Sequence, residues 1–399
     1  MNKKVVVIIT LIILCVMGRL EAGYISAQTV QKVSLFTCTE GDELYSLFGH
    51  TAIRCVFEDS LGTQEDVTFN YGAFSYSADN FVLNFISGKT DYILACEETN
   101  DFLTRYQEKG IGVTEQVLNL TDKEQTDLLK FLLNNAKPEN NIYRYNWLYD
   151  NCTTRARDVI ESVIQGNVVY PKEETLRTCR ENLNNYTSVD SWIELGINML
   201  LGSEVDEQMN DRTQTFLPKD FQQVLAGAYV INPTGEKICL VKDTTIAVPQ
   251  VFKPEIASVN WPVIIMSIIL LLCIIVGVIE VRNMEVFRRF AVVLYGVIGL
   301  IGSLISFMFL FSEHAGVSTN CLVAIFNPLY FALIPFVLQR ETKKVSLAVL
   351  ATIIIFLIWK FAVGQVISTA VWMLVLILLS RVVVNALIYI REINSKAEN

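Results

Sequence analysis

Histidine is almost missing from this chain, with two in 399 residues, and no two of the nine cysteines form a Cys-x-x-Cys pair. A structural zinc site gathers four closely spaced nitrogen or sulfur ligands, so no metal is expected, and nothing in the sequence calls for another cofactor. Charge is sparse as well, at 18% of residues, and acids outnumber bases 41 to 32. A chain without a basic surplus offers no field to hold a polyanion, which excludes nucleic acid as a partner. A hydrophobic fraction of 52% excludes intrinsic disorder. With a mean hydropathy of +0.39, the chain holds more apolar surface than soluble cores absorb.

The surplus is unevenly placed. Residues 28–260 hold 19 Lys and Arg against 34 Asp and Glu, a net of −15, whereas residues 261–399 hold 10 against 6, a net of +4. The N-terminus reads as a secretory signal: Lys3 and Lys4 precede an apolar core from Val5 to Met17, and small residues follow to a cleavage point after Ala27. Cys15 lies inside the apolar core and is not read as a lipoprotein cysteine. From Trp261 onward, five stretches approach the ~20 residues that cross a hydrocarbon core: Trp261–Ile279, Phe290–Phe311, Leu322–Leu338, Val345–Val363 and Val366–Ile390. The first connection carries Arg282, Arg288 and Arg289, the third Arg340, Lys343 and Lys344, and the tail Arg391 and Lys396, while residues 312–320 carry no base. The positive-inside rule makes those basic ends cytoplasmic and puts residues 28–260 outside. Arg381, within the last stretch, is expected to snorkel to the cytoplasmic face.

Four segments are therefore expected: a signal over 1–27, an exported domain over 28–241, a linker over 242–260 with Pro249 and Pro254, and a five-helix membrane domain over 261–399. In the exported domain, alternating apolar residues predict strands at 33–39, 51–57, 67–71, 92–96 and 113–120. Thr121 and Glu124 have capping-box spacing ahead of a helix over 122–136 that buries Leu128, Leu129, Leu132 and Leu133. Further helices are predicted from Cys152, with Asn151 as N-cap, and over 191–201 and 218–225, followed by a hairpin over 229–241. The acidic run Glu97, Glu98 and Asp101 reads as solvated surface. The six exported cysteines are free to form disulfides in an oxidising compartment, but their spacing sets no connectivity.

His50 is the single histidine of the exported part. Cys152, in the first turn of a helix capped by Asn151, meets unpaired amides and a positive dipole end, which favour a thiolate. A thiolate with an imidazole on a neighbouring strand is the arrangement of nucleophilic acyl transfer, and Asn70, one strand further, is the candidate to orient the ring. In the membrane half, His314 beside Glu313, then Asn320 and Asn327-Pro328, form a second polar set facing the same side.

In chain order, His50, Asn70 and Cys152 are a circular permutation of the Cys, His, Asn order of papain-like enzymes. The motif Asn151-Cys152-Thr153-Thr154 resembles that of permuted papain-like enzymes related to NlpC-type peptidases. More closely, Leu44–Arg54 (LYSLFGHTAIR), Asn70–Phe74 (NYGAF), Tyr143-Arg144-Tyr145 and Asp150–Asp158 (DNCTTRARD) resemble the periplasmic domain of the Lnb-type lipoprotein N-acyltransferases of Bacteroides-like bacteria. In that family a five-helix membrane domain follows, as here.

The resemblance implies an α+β, circularly permuted papain-like domain ahead of an all-α membrane domain. It implies Cys152, His50 and Asn70 as the catalytic set, with Asn151, Tyr71 and Tyr145 as motif residues and His314, Asn320 and Asn327 as a membrane-side set. It also implies a phospholipid acyl donor, a diacylated lipoprotein acceptor and a bacterial inner-membrane location. A membrane-tethered cell-wall amidase or endopeptidase, in which water replaces the amine, and a non-catalytic scaffold remain open beside it.

Overall fold

A computed structural model describes residues 29–397 apart from 60–61, 75–79, 173–175, 189 and 256. The expected export signal, with Lys3, Lys4 and Cys15, lies outside the described residues. Strands in chain order are β1 (Thr29–Cys38), β2 (His50–Glu58), β3 (Gln64–Ala73), β4 (Asp91–Glu98), β5 (Val113–Leu118), β6 (Ile142–Arg144), β7 (Asn167–Val169), β8 (Tyr229–Ile231), β9 (Lys237–Cys239) and β10 (Val241–Val248). Helices are α1 (Phe81–Ile86), α2 (Thr99–Glu108), α3 (Asp122–Asn135), α4 (Cys152–Val163), α5 (Cys179–Thr187), α6 (Ser191–Leu200), α7 (Pro218–Ala226), α8 (Trp261–Asn283), α9 (Arg288–Phe311), α10 (Tyr330–Leu338), α11 (Thr342–Val363) and α12 (Thr369–Ala397). They divide into two units: residues up to 177 with 209–254, and residues 178–208 with those from 255 on.

The first unit is built on a seven-stranded antiparallel sheet in the order β10-β5-β1-β2-β3-β4-β6. Successive side chains of a strand point to opposite faces, and β1 uses both. Val33 and Leu35 enter a large core with Leu128, Leu129 and Leu132 of α3, Ile160 of α4 and Phe221 and Leu225 of α7, while Phe36 and Cys38 meet Phe102 of α2 on the other face. The capping box expected at α3 is present: Glu124 N–H donates to Thr121 Oγ1 (3.3 Å) and the Glu124 carboxylate accepts from Thr121 N–H (2.8 Å).

The expected linker begins too early. Residues 241–248, although mostly exposed, complete the sheet by pairing along β5, so backbone hydrogen bonding places them in the domain where an apolar pattern gave no signal. Residues 178–208, expected inside the exported domain, belong to the second unit.

In that unit Arg180 is buried and donates to Asp206 Oδ1 (2.6 Å), to Asn198 Oδ1 (2.8 Å) and to the carbonyls of Leu201 and Gly202 (3.1 and 2.8 Å). Gly202 N–H donates to Gly316 O (2.6 Å), and a Cβ at Gly202 would lie 2.4 Å from Asn320 N, so only glycine fits. The buried Gln365 closes the arrangement by donating to Leu201 O (3.1 Å) and Asn320 Oδ1 (3.0 Å) and accepting from Cys321 N–H (2.8 Å).

Among the described residues, four helices are long and apolar enough to cross a membrane: α8, α9, α11 and α12. The third expected span is broken into a 3-10 turn, Cys321–Ala324, and the nine-residue α10, because Pro328 lacks an N–H and Asn327 bonds locally. The segment nevertheless carries the chain back along α9. At the C-terminal end of α10, Arg288 donates to Leu338 O (3.2 Å) and Arg340 pairs with Glu285 (3.0 Å), and Arg391 donates to Val281 O (3.0 Å). The basic connections and tail thus share one end of the bundle, as the charge pattern requires.

Arg381 does not snorkel. It is 1% exposed and makes a two-pronged pair with Glu280, itself fully buried, at 2.7 and 3.0 Å, and Glu280 also accepts from Phe287 N–H (2.6 Å). Two opposite charges satisfied by each other are tolerable where one alone is not. Arg381→Leu or Glu280→Leu alone is therefore expected to cost about 3–5 kcal/mol, read as a lower melting temperature of the detergent-solubilised protein. The double Leu variant should recover most of that loss, and a double variant as unstable as the singles would refute the pairing argument.

Candidate active site

The site is assembled at the junction of β2, β3 and α4. Asn151 caps α4: its Oδ1 accepts from the N–H groups of Thr153 (2.8 Å) and Thr154 (2.9 Å), and its Nδ2 donates to Trp147 O (2.7 Å) and Phe216 O (2.9 Å). Both ends of one amide are thus spent on fixing where the helix starts, and Cys152 becomes its first residue. A second tie, Thr51 Oγ1 to Thr153 Oγ1 at 3.0 Å, locks that turn against β2.

His50 opens β2 opposite Cys38 of β1. The turn before it needs Gly49, because φ is +76° there and an added Cβ would stand 2.5 Å from Cys38 O. Its Nε2 lies 3.1 Å from Asn70 Oδ1, and Asn70 Nδ2 donates to Glu97 Oε1 (2.9 Å), which presents the oxygen of that amide to the imidazole. With Nε2–H donated to Asn70, the other ring nitrogen is left as acceptor toward Cys152. Arg105 fixes Glu97 through two bonds of 2.6 and 2.7 Å. Cys152, His50, Asn70, Glu97 and Arg105 form one connected line.

Electrostatics sets Cys152 apart. Burial by itself would raise its thiol pKa, but the hydrogen bond and charge of His50, with the Thr51 N–H and the Thr153 hydroxyl, pull it below the ordinary value. Burial likewise works against the His50 imidazolium, yet the contacts with Cys152 and Asn70 raise its pKa. No imidazole meets Cys38, Cys55, Cys96 or Cys179, and burial pushes all four up, at Cys38 against a hydrogen bond from Tyr106 and at Cys96 and Cys179 to about 12. The eight cysteines among the described residues are free thiols.

The other motif residues divide by role. Tyr71 is buried and donates to Asn135 Oδ1 (2.6 Å), a structural bond. Tyr145 stacks on Tyr92 at 4.1 Å, and its ring edge lies 3.8 Å from where a Cβ on Gly72 would stand. Gly72, at φ +90°, would place that Cβ 3.5 Å from Cys152 Cβ, so its missing side chain leaves space beside Cys152.

Glu97 is the residue that sequence reasoning misplaced. It reads as surface acid because its strand alternates Tyr92, Leu94 and Cys96 inward, but its own face carries Asn70. Of the membrane-side set, Asn320 caps Leu322 N–H (3.0 Å) and donates to Met199 O (2.8 Å), and Asn327 bonds Ala324 O and Leu329 N–H, both at 3.1 Å. Those amides are spent on backbone and, at Asn320, also on the Gln365 side chain. His314 lies half-exposed in the same unit, its N–H on Ser312 Oγ at 3.3 Å.

Residues 21–185 match the family model described as the Lnb N-terminal periplasmic domain, and residues 255–393 match the one described as the Lnb transmembrane domain. Neither a curated protein nor a solved structure matches the chain.

The electrostatics implies a pH signature. Iodoacetamide should alkylate Cys152 with a midpoint below the ordinary thiol value of about 8.5. In His50→Ala the thiolate loses its partner while burial persists, so the midpoint should move above that value. Peptide mass spectrometry of labelled Cys152 across pH checks this, and equal midpoints in both proteins would refute the pairing.

Proposed function

Because the chain belongs to the Lnb family, with the periplasmic domain ahead of the transmembrane domain, we propose that it is a lipoprotein N-acyltransferase working through a thioester at Cys152. The observation that supports this most is the line Cys152, His50, Asn70, in which a thiol with lowered pKa meets an imidazole held by an amide.

His50 takes the Cys152 proton, and the thiolate attacks the carbonyl carbon of a phospholipid ester. The ester C–O bond breaks, the proton passes from His50 to the leaving glycerol oxygen, and a lysophospholipid departs from an acyl-thioester. The α-amine of a diacylglyceryl-cysteine lipoprotein then attacks the thioester. Nitrogen gives its proton to His50, the C–S bond breaks, and the Cys152 thiol is restored with the N-acyl lipoprotein released. An amide is more stable than the thioester it replaces, so the second step runs downhill without a further energy source. Asn70 and Glu97 hold the ring through both steps.

In this reading the unit carrying Cys152 faces the periplasm, and the basic end of the bundle, with the C-terminus, faces the cytoplasm. A five-traverse membrane domain suits a lipid substrate better than a tether for a soluble one.

Wild type and Cys152→Ala, expressed in a bacterial strain lacking its own N-acylating enzyme, test the reading through mass spectrometry of lipoprotein N-termini. Triacylated peptides are expected with wild type and only diacylated ones with the variant, a loss of at least about 10³-fold for removing a nucleophile. Diacylated peptides in both strains would overturn the proposal.

A further inference from the structure

Next to Cys152 begins a continuous run of aromatic rings. Tyr145, at the Gly72 gap, stacks on Tyr92 (4.1 Å), Tyr92 meets Phe74 (5.1 Å), Phe74 stacks on Phe81 (5.8 Å), and Phe81 on Phe85 (5.8 Å). Tyr145, Phe74 and Phe81 are half-buried and Tyr92 is buried.

The run ends on α1, whose sequence FVLNFI holds no ionisable side chain and no buried residue, with Val82 67% and Leu83 57% exposed. So much apolar area left in water on one turn of helix is unfavourable unless something apolar covers it.

At the inner end sits a second unspent group. The Tyr143 hydroxyl is buried, has no hydrogen-bond partner among the described residues, and lies 4.0 Å from where a Cβ on Gly72 would stand beside Cys152. Burial raises its pKa well above the ordinary phenol value, so it keeps its proton and is a donor. Arg155, 3.6 Å above its ring, and Tyr71 at its edge fix its direction.

An apolar track without charges, joined at one end to a buried donor beside a nucleophile, matches a long hydrocarbon chain ending in a carbonyl. A peptide would bring amides that the track cannot satisfy.

We propose that these residues form one fatty-acyl site. Tyr143 Oη donates to the acyl carbonyl oxygen at Cys152, the chain lies along Tyr145, Tyr92, Phe74 and Phe81, and its methyl end rests on Val82 and Leu83. The site rests on the acyl-transfer reading of Cys152 and adds to it where the chain is held and what stabilises the oxyanion. Tyr143 is thereby a catalytic residue and Val82 and Leu83 determine chain length.

The test uses full-length protein with two donors: vesicles of dipalmitoyl phosphatidylethanolamine and the soluble butyrate ester of 4-nitrophenol. The readout is the acyl mass gained by Cys152. Val82→Asp/Leu83→Asp should slow palmitoyl transfer by at least about tenfold and leave butyryl transfer within about twofold. Tyr143→Phe, which keeps the ring under Arg155, should slow both by about a hundredfold while leaving the alkylation midpoint of Cys152 in place. An undiminished palmitoyl rate in the double variant, or undiminished rates in Tyr143→Phe, overturns the site.

Should the double variant lose both donors, a phosphatidylethanolamine with a diazirine at the chain terminus decides. Crosslinks on residues 81–86 of Cys152→Ala uphold the site, and crosslinks confined elsewhere overturn it. Wild-type Cys152 that takes no acyl group from either donor refutes the acyl-transfer reading itself, and the crosslinking still reports separately on where the chain lies.

Discussion

Everything at the site depends on where α4 begins. A helix leaves its first amides unpaired, and which residue stands among them is set by the cap. Asn151 fixes that register with all of its side-chain amide, two bonds inward to Thr153 and Thr154 and two outward to the carbonyls of Trp147 and Phe216. The outward pair ties the helix start to segments before and after it in the chain. If the start slipped by one residue, Cys152 would rotate by about 100° around the helix axis and leave the imidazole.

What the position gives Cys152 is decided by competition between burial and partners. Burial pushes the thiols of Cys38, Cys55 and Cys96 upward, and Cys152 escapes only because His50 and two further donors outweigh the same penalty. The imidazole is available because Asn70 holds one nitrogen, Glu97 holds Asn70, and Arg105 holds Glu97. Each member is satisfied by the next, and the chain of bonds ends on a guanidinium near the surface. A buried polar line of this kind is stable only when complete.

The sequence made the strands at the core of the sheet legible because apolar residues alternate within stretches of β1 to β5, and α3 because Thr121 and Glu124 announce it. His50, Asn70 and Cys152 were legible from residue type and cap chemistry. Elements held by backbone pairing alone escaped notice. The three-residue β6 is too short for a period, and β10 is polar on its exposed side. Glu97 was hidden for a related reason: strand parity separates it from the core but does not say that an asparagine shares its face. In the membrane half, hydropathy located the spans but not their interruptions, since Asn327-Pro328 changes average hydropathy little while removing a helical hydrogen bond.

The same logic explains why the membrane half carries polar residues that composition alone would call liabilities. Glu280 and Arg381 sit on α8 and α12, which are distant in sequence, and their pairing selects one register between those two helices. Gln365 does similar work at the opposite end, where the oxygen and nitrogen of its one side-chain amide bind three partners from the segments around Leu201 and Asn320. In hydrocarbon, apolar side chains gain little by choosing one neighbour over another, since lipid tails are as apolar as leucine. Specific packing then has to come from groups whose bonds cannot be replaced by lipid. A few satisfied polar contacts, one set at each end of the bundle, are enough to define how its helices meet, and they also bind residues 178–208 to the non-basic end of the membrane unit although hydropathy alone assigns that segment to the exported domain.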